Sequence, residues 1–208
     1  MKLVLLPFLA LFAVFTHASL AVAADARDFD ILGIRLGMTV AEVEALATAS
    51  GFEKIKRSAA PSFDQAVAIE NREQVNWQDY TGVQKLKFEN DREAVQVSLV
   101  ATPTGARVFQ IFYEFFGSGV TRQQMTAQVL TKYGEPDGLS GGHRLWGDTA
   151  SAFSRKNAWL EYDETTVSGF GRKNVGVLTL SGPELQAESK RAIKTAAAER
   201  ANGKKPTF

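Results

Sequence analysis

Cysteine is absent from this chain of 208 residues, and histidine occurs only twice. Without cysteine there is no disulfide, no thiol nucleophile and no thiolate for zinc, so the core must hold by packing alone. No Asn-x-Ser/Thr glycosylation acceptor occurs either. A predominance of one charge is missing as well. Residues 1–24 hold one basic residue, Lys2, and no acid, so the 24 basic and 23 acidic side chains of the whole become 23 and 23. A neutral chain gains no long-range attraction to nucleic acid or to an anionic membrane, which removes both as expected partners of the protein as a whole. Beyond residue 24 there is no apolar run long enough for a membrane span.

What is present begins with a leader. Lys2 precedes an almost unbroken apolar stretch from Leu3 to Phe15, and Ala21-Val22-Ala23 or Val22-Ala23-Ala24 follows as a small-residue cleavage site. That pattern is a secretory signal peptide, cut near Ala23 or Ala24. With no cysteine near the cut to carry a lipid, a lipoprotein is excluded. An exported chain free of cysteine and sequons points to the bacterial envelope, and the periplasm is the expected location.

Two stretches 82 residues apart carry the same helix start. Gly37-Met38-Thr39-Val40-Ala41-Glu42 is echoed by Gly119-Val120-Thr121-Arg122-Gln123-Gln124. In both, Thr stands three residues before Glu or Gln, the spacing of a capping box. The spacing predicts helices over about Val40 to Ser50 and Arg122 to Tyr133. Gly51 and Gly134 are expected to close them in the left-handed conformation. Asp25 to Asp30 reads as a short tether, with Ile31 to Leu36 leading into the first helix. Phe52 to Asn76 mixes short apolar pieces with charge and is interrupted at Ala60-Pro61-Ser62, so it carries no assignment.

From Gln84 the period becomes two. Leu86 and Phe88 alternate with Lys85 and Lys87, and Val95, Val97 and Leu99 alternate with Gln96 and Ser98. Val108 to Phe116 is apolar on both faces, as in a central strand. After the second helix and its stop at Gly134-Glu135-Pro136, strands are expected at His143 to Trp146, from Ala152 or Asn157 to Tyr162, and at Asn174 to Leu180, with a turn at Gly169 and Gly171. Pro183 opens a last helix to about Ala201. From Pro183 onward the chain has six basic and three acidic residues, which reads as a solvated tail helix or an accessory contact. The organisation is therefore α+β: residues 1–24 as leader, 25–116 and 117–182 as two similar helix-plus-antiparallel-sheet modules, and 183–208 as a C-terminal helix and tail.

The repeated Gly-x-Thr start, capping acid or amide, amphipathic helix and closing Gly resembles the β-lactamase-inhibitor-protein-like fold, which includes the small outer-membrane lipoprotein of the β-barrel assembly machinery. Gly37, Met38, Thr39, Glu42 and Gly51 carry the likeness in the first copy, and Gly119, Thr121, Gln124, Gly134 and Pro136 in the second. The resemblance implies helices packed on antiparallel sheet and an exported, non-enzymatic protein working by contact with an envelope protein. The chain departs from it in having two modules without a lipidated or disulfide-bonded Cys, and the shared residues are structural.

Candidate chemistry is sparse. Gly138-Leu139-Ser140-Gly141-Gly142 spells a nucleophile elbow with His143 next to it, yet the required strand-to-helix turn is not expected there. Glu161, Asp163 and Glu164 cluster near a strand end but lack the spacing of a calcium loop. Gly169-Phe170-Gly171 lacks the third glycine of a dinucleotide site. No catalytic residue, metal site or cofactor is assigned. The aromatic residues Trp77, Tyr80, Trp146, Trp159 and Tyr162 remain, lying in or near strands. They are the expected partner-binding set if they line an exposed sheet face, with Trp146 and Trp159 the leading pair. A carrier or sensor of a small apolar ligand, held between helix and sheet, is the alternative function.

Overall fold

The computed structural model describes residues 25–116, 119–164 and 175–203. The leader and the expected turn at Gly169 and Gly171 lie outside the described residues. The protein is α+β. A 3-10 turn at Ala26–Asp28 leads into a two-stranded sheet, β1 (Asp30–Ile31) and β2 (Ile34–Arg35). Then come α1 (Val40–Ala49), β3 (Ile55–Ala60), α2 (Phe63–Glu70), a second 3-10 turn (Trp77–Asp79), β4 (Gly82–Glu89), β5 (Glu93–Thr102) and β6 (Gly105–Phe115). The second half holds α3 (Arg122–Tyr133), β7 (Gly138–Ser140), β8 (His143–Gly147), β9 (Trp159–Asp163), β10 (Gly176–Ser181) and α4 (Pro183–Ala201).

Both capping boxes form. Thr39 Oγ1 accepts from the Glu42 amide at 3.3 Å and Glu42 Oε2 accepts from the Thr39 amide at 2.7 Å. Thr121 and Gln124 repeat the exchange at 3.2 and 2.8 Å. The helix ends differ. Gly51, at φ +84°, closes α1 with the Phe52 amide donating to the Ala47 carbonyl, a Schellman end. Gly134 has φ +79° but an extended ψ of −166°, a conformation open essentially to glycine alone, so it turns the chain away instead of closing a left-handed cap.

The eight long-range strands form one antiparallel sheet in the order β3-β4-β5-β6-β10-β9-β8-β7. Each half runs helix first, then four strands stepping from an edge to the centre, and the halves meet where β6 pairs with β10. Both halves thus lie in one sheet, and position 116/117 falls between β6 and α3. The order is common to both halves but the content is not. The first half inserts α2 and a 3-10 turn between its edge strand and the next; the second has only Gly141-Gly142. Both glycines have positive φ, the requirement of a tight I′ hairpin turn.

One register row crosses six strands: Leu86, Val97, Ile111, Leu180, Leu160 and Trp146, each at most 2% exposed. This row anchors the main core, to which α1 gives Val43 and Ala47 and α3 gives Met125, Val129 and Tyr133. The Leu, Ile, Val and Met side chains among these contribute about 1.5–3 kcal/mol each on burial. The N-terminal segment is not a tether, because Ala26, Phe29, Ile31 and Ile34 are all buried in the same core. Nor is α4 a solvated tail. Ser189 Oγ donates to the Ala101 carbonyl at 2.6 Å, and Ala196 and Ala197 pack with Phe63 and Val67 of α2 in a second, smaller core.

The unassigned stretch from Phe52 to Asn76 holds β3 and α2. Strand β3 pairs only with β4 and shows no clean alternation of buried and exposed residues. Helix α2 starts at Ser62, whose amide donates to Gln65 Oε1 at 2.9 Å. The Ser-x-x-Gln spacing at Ser62 was the signal that marks it.

Candidate functional site

The five aromatic candidates separate by register. Trp146 ends the buried row, donates from Nε1 to the Gly134 carbonyl at 3.2 Å and lies 6.1 Å from the Tyr133 ring, so it is core and presents no binding surface. Tyr162 sits on the same face and is fully buried. Its hydroxyl is 3.3 Å from Thr126 Oγ1, and burial pushes its phenol pKa up. Trp159 points to the opposite face but is half-buried beneath Arg155, whose guanidinium lies 4.4 Å over its ring. Tyr80 is half-buried as well. Trp77 alone of the five is open to water, at 71%.

Trp77 is exposed on a held backbone. Gln65 Nε2 donates to the Asp79 carbonyl at 2.7 Å, and its Oε1 accepts from the Thr81 amide at 3.1 Å, while Asn76 Oδ1 accepts from the Gln78 amide. The 3-10 turn bearing Trp77 is therefore bracketed from both sides by hydrogen bonds. It stands at the end of the β3–β4 pair where Ala60 faces Gly82.

The chemical candidates gather on the sheet face opposite the main core, at its β8–β9 side. His143 Nδ1 is buried 3.0 Å from Glu161 Oε1 and 3.7 Å from Asp163 Oδ2, without the alignment of a hydrogen bond. Arg155, its side chain 4% exposed, binds Glu161 Oε2 at 2.9 Å and donates to the Ala150 carbonyl. Strand alternation sends Glu164 to the other face, where it pairs with Arg144 at 2.9 Å, so the three carboxylates do not converge. Among the described residues no group of three metal-ligating side chains is arranged so that it could hold a metal ion. Ser140 lies directly opposite His143 across the hairpin, exposed at a strand end. A strand follows it, so the strained strand-to-helix elbow that would activate its hydroxyl is absent.

A second assembly lies at the other side of the same face. Lys56 on β3 stands directly opposite Lys87 on β4, and Ser58 opposite Lys85. Lys54, Lys56 and Lys87 line a groove of about 660 Å³ that runs to Glu89, Asn90 and Asp91 at the β4–β5 turn. Like charges directly opposed across a strand pair are destabilising. The β3–β4 side of the face therefore gathers lysines that the neutral total conceals.

Compared with known proteins, the chain matches no family model, no curated protein and no solved structure. The likeness to the inhibitor-like fold rests on the capping motifs themselves. Sequence reading missed the basic groove, although Lys85 and Lys87 were visible as the polar half of an alternation. Their partner Lys56 lies 31 residues before Lys87 with α2 between them, and no local pattern connects the two.

Proposed function

We propose that this protein is an exported, non-enzymatic binding module of the bacterial envelope, akin in fold to the inhibitor-like modules. In this reading it holds a partner protein at the β3–β4 end of its sheet. The observation that carries the reading is Trp77: an indole 71% exposed on a turn fixed by Gln65 and Asn76. A rigid exposed tryptophan loses little entropy on binding and offers a large apolar contact, the profile of an interface hot spot. Export is supported by Lys2, the apolar run from Leu3 to Phe15 and the small residues to Ala24. No helix among the described residues is long and apolar enough to cross a membrane. The small apolar ligand gains no such support. Phe29 and Tyr133 stack edge-on at 5.2 Å between helix and sheet, and the basic groove is charged.

A photo-crosslinking residue placed at position 77, and for comparison at the fully exposed Phe153, tests the reading in envelopes of the native host. One protein captured at 77 and not at 153, and bound at least tenfold more weakly by the Trp77→Ala variant, is the expected result. Equal capture at both positions, or an affinity indifferent to Trp77→Ala, rejects it.

A further inference from the structure

Resting on that reading, we infer that the partner contributes an extended acidic segment, which adds to β3 as a ninth strand and lays alternate carboxylates over Lys54 and Lys56 beside Lys87. Strand β3 is at the end of the sheet order, and among the described residues no backbone hydrogen bond joins it to anything but β4. An open strand edge is a template for pairing, and added-strand complexes take affinity from the main chain and specificity from alternate side chains.

Charge selects the segment. On the groove face, a strand paired with β3 would place every second residue beside Lys54, Lys56 and Ser58. Lys87 lies one strand further in, directly across from Lys56, with Lys85 across from Ser58. Carboxylates two residues apart lie about 6.6 Å from one another along a strand, matching the rise from Lys54 to Lys56. Such anions would lie against the ammonium groups of Lys54 and Lys56, which line the groove on this edge. Glu89 and Asp91 at the far rim disfavour an acidic residue beyond Lys54, which limits the segment to a short acidic stretch. Strand β3, about 20 Å long for its six residues, ends at Ala60 opposite Gly82, five residues after Trp77, and an apolar residue of the same segment would rest at that end. The opposite face of β3 is already committed, since Arg57 pairs with Glu44 of α1.

The test uses the exported protein purified from the envelope and three labelled eight-residue peptides. One alternates Glu with Val, one replaces each Glu by Gln, and one replaces each Glu by Lys. Fluorescence anisotropy reads affinity at low and high salt, and hydrogen exchange reads the β3 amides. The Glu peptide should bind at least tenfold more tightly than the Gln peptide, weaken with salt and protect the β3 amides. The double variant Lys56→Glu/Lys87→Glu should reverse the preference toward the Lys peptide, with circular dichroism confirming an intact fold. Equal affinity for Glu and Gln peptides, or β3 amides that stay unprotected, overturns the inference. So does capture of phosphatidylglycerol vesicles that depends on Lys56 while the peptides go unbound, because the groove then serves a lipid surface. A partner captured at position 77 whose affinity ignores the double variant leaves the binding-module reading standing and removes only the acidic segment. Tight, Lys-dependent binding of the Glu peptide with no partner at position 77 does the reverse.

Discussion

Replacing Trp146 with alanine tests the register argument most directly. The indole closes the buried row that begins at Leu86, is 2% exposed, and is fixed by its bond to the Gly134 carbonyl. A buried tryptophan side chain hides about 200 Å², and at about 25 cal/mol per Å² this amounts to about 5 kcal/mol. Alanine retains a small part of that burial, and the surrounding Tyr133 and Leu160 close the space incompletely, which places the loss at about 3–5 kcal/mol. Gly134 is exposed, so its released carbonyl can turn to water and adds little. Against a typical total of about 5–15 kcal/mol, the change removes about a fifth or more of the stability. Trp77→Ala, by contrast, should stay within about 0.5 kcal/mol, as for a surface site away from packing. Urea unfolding followed by far-UV circular dichroism measures both, because each variant loses a fluorophore. A loss under about 1 kcal/mol for Trp146→Ala, or a larger loss for Trp77→Ala, would refute the assignment of Trp146 to the core.

The two capping boxes should each be worth about 1 kcal/mol when Thr39 or Thr121 becomes Ala, and the losses should add because the helices start at separate places. Chemical denaturation of the single and double variants checks this, and losses below about 0.3 kcal/mol at both sites would deny the caps a role. Burial pushes the Asp30 carboxyl up, but the bond from Lys132 Nζ at 2.8 Å, the Gly33 amide and the nearby charges outweigh it and hold the group below its usual range. Its contribution is therefore present above the ordinary carboxylate pKa of about 4 and fades as pH falls toward the lower folded value. Stability measured from neutral pH downward should decline less steeply in Asp30→Asn, and identical slopes would contradict the assignment. Removing residues 183–208 should uncover Phe63 and Val67, lower Tm and raise binding of a hydrophobic dye; an unchanged Tm would contradict the docking of α4.

What the sequence made legible were elements whose signals are local. Thr39 with Glu42 and Thr121 with Gln124 mark helix starts within four residues, and Leu86 with Phe88 or Val95 with Val97 mark strands by their own alternation. Register is not local. Trp146 is core because Leu160 and Leu180 stand beside it, and those neighbours come from 14 and 34 residues later in the chain. The same residue type at position 77 is in water, on a 3-10 turn with no buried residue whose backbone Gln65 holds. Edge strand β3 was illegible for a related reason: with one neighbouring strand it buries little, and Lys56 and Arg57 blur the period. The short helix at Phe63 hid behind Pro61, although Ser62 and Gln65 carried the cap. The basic groove existed in the sequence only as two separate lysine pairs until β3 folded against β4.

The two halves do more than share a seam between β6 and β10. The N-terminal 3-10 turn and β1, which belong to the first half, pack on β9 and β10 of the second. Helix α4, which belongs to the second, crosses to α2 and β5 of the first. Each half thus reaches across and grips the other, like clasped forearms. Neither can unfold while the other stays native, because its departing arm strips the core from its neighbour. Denaturation should accordingly run as a single cooperative event, with the amides of β6 and β10 the last to exchange.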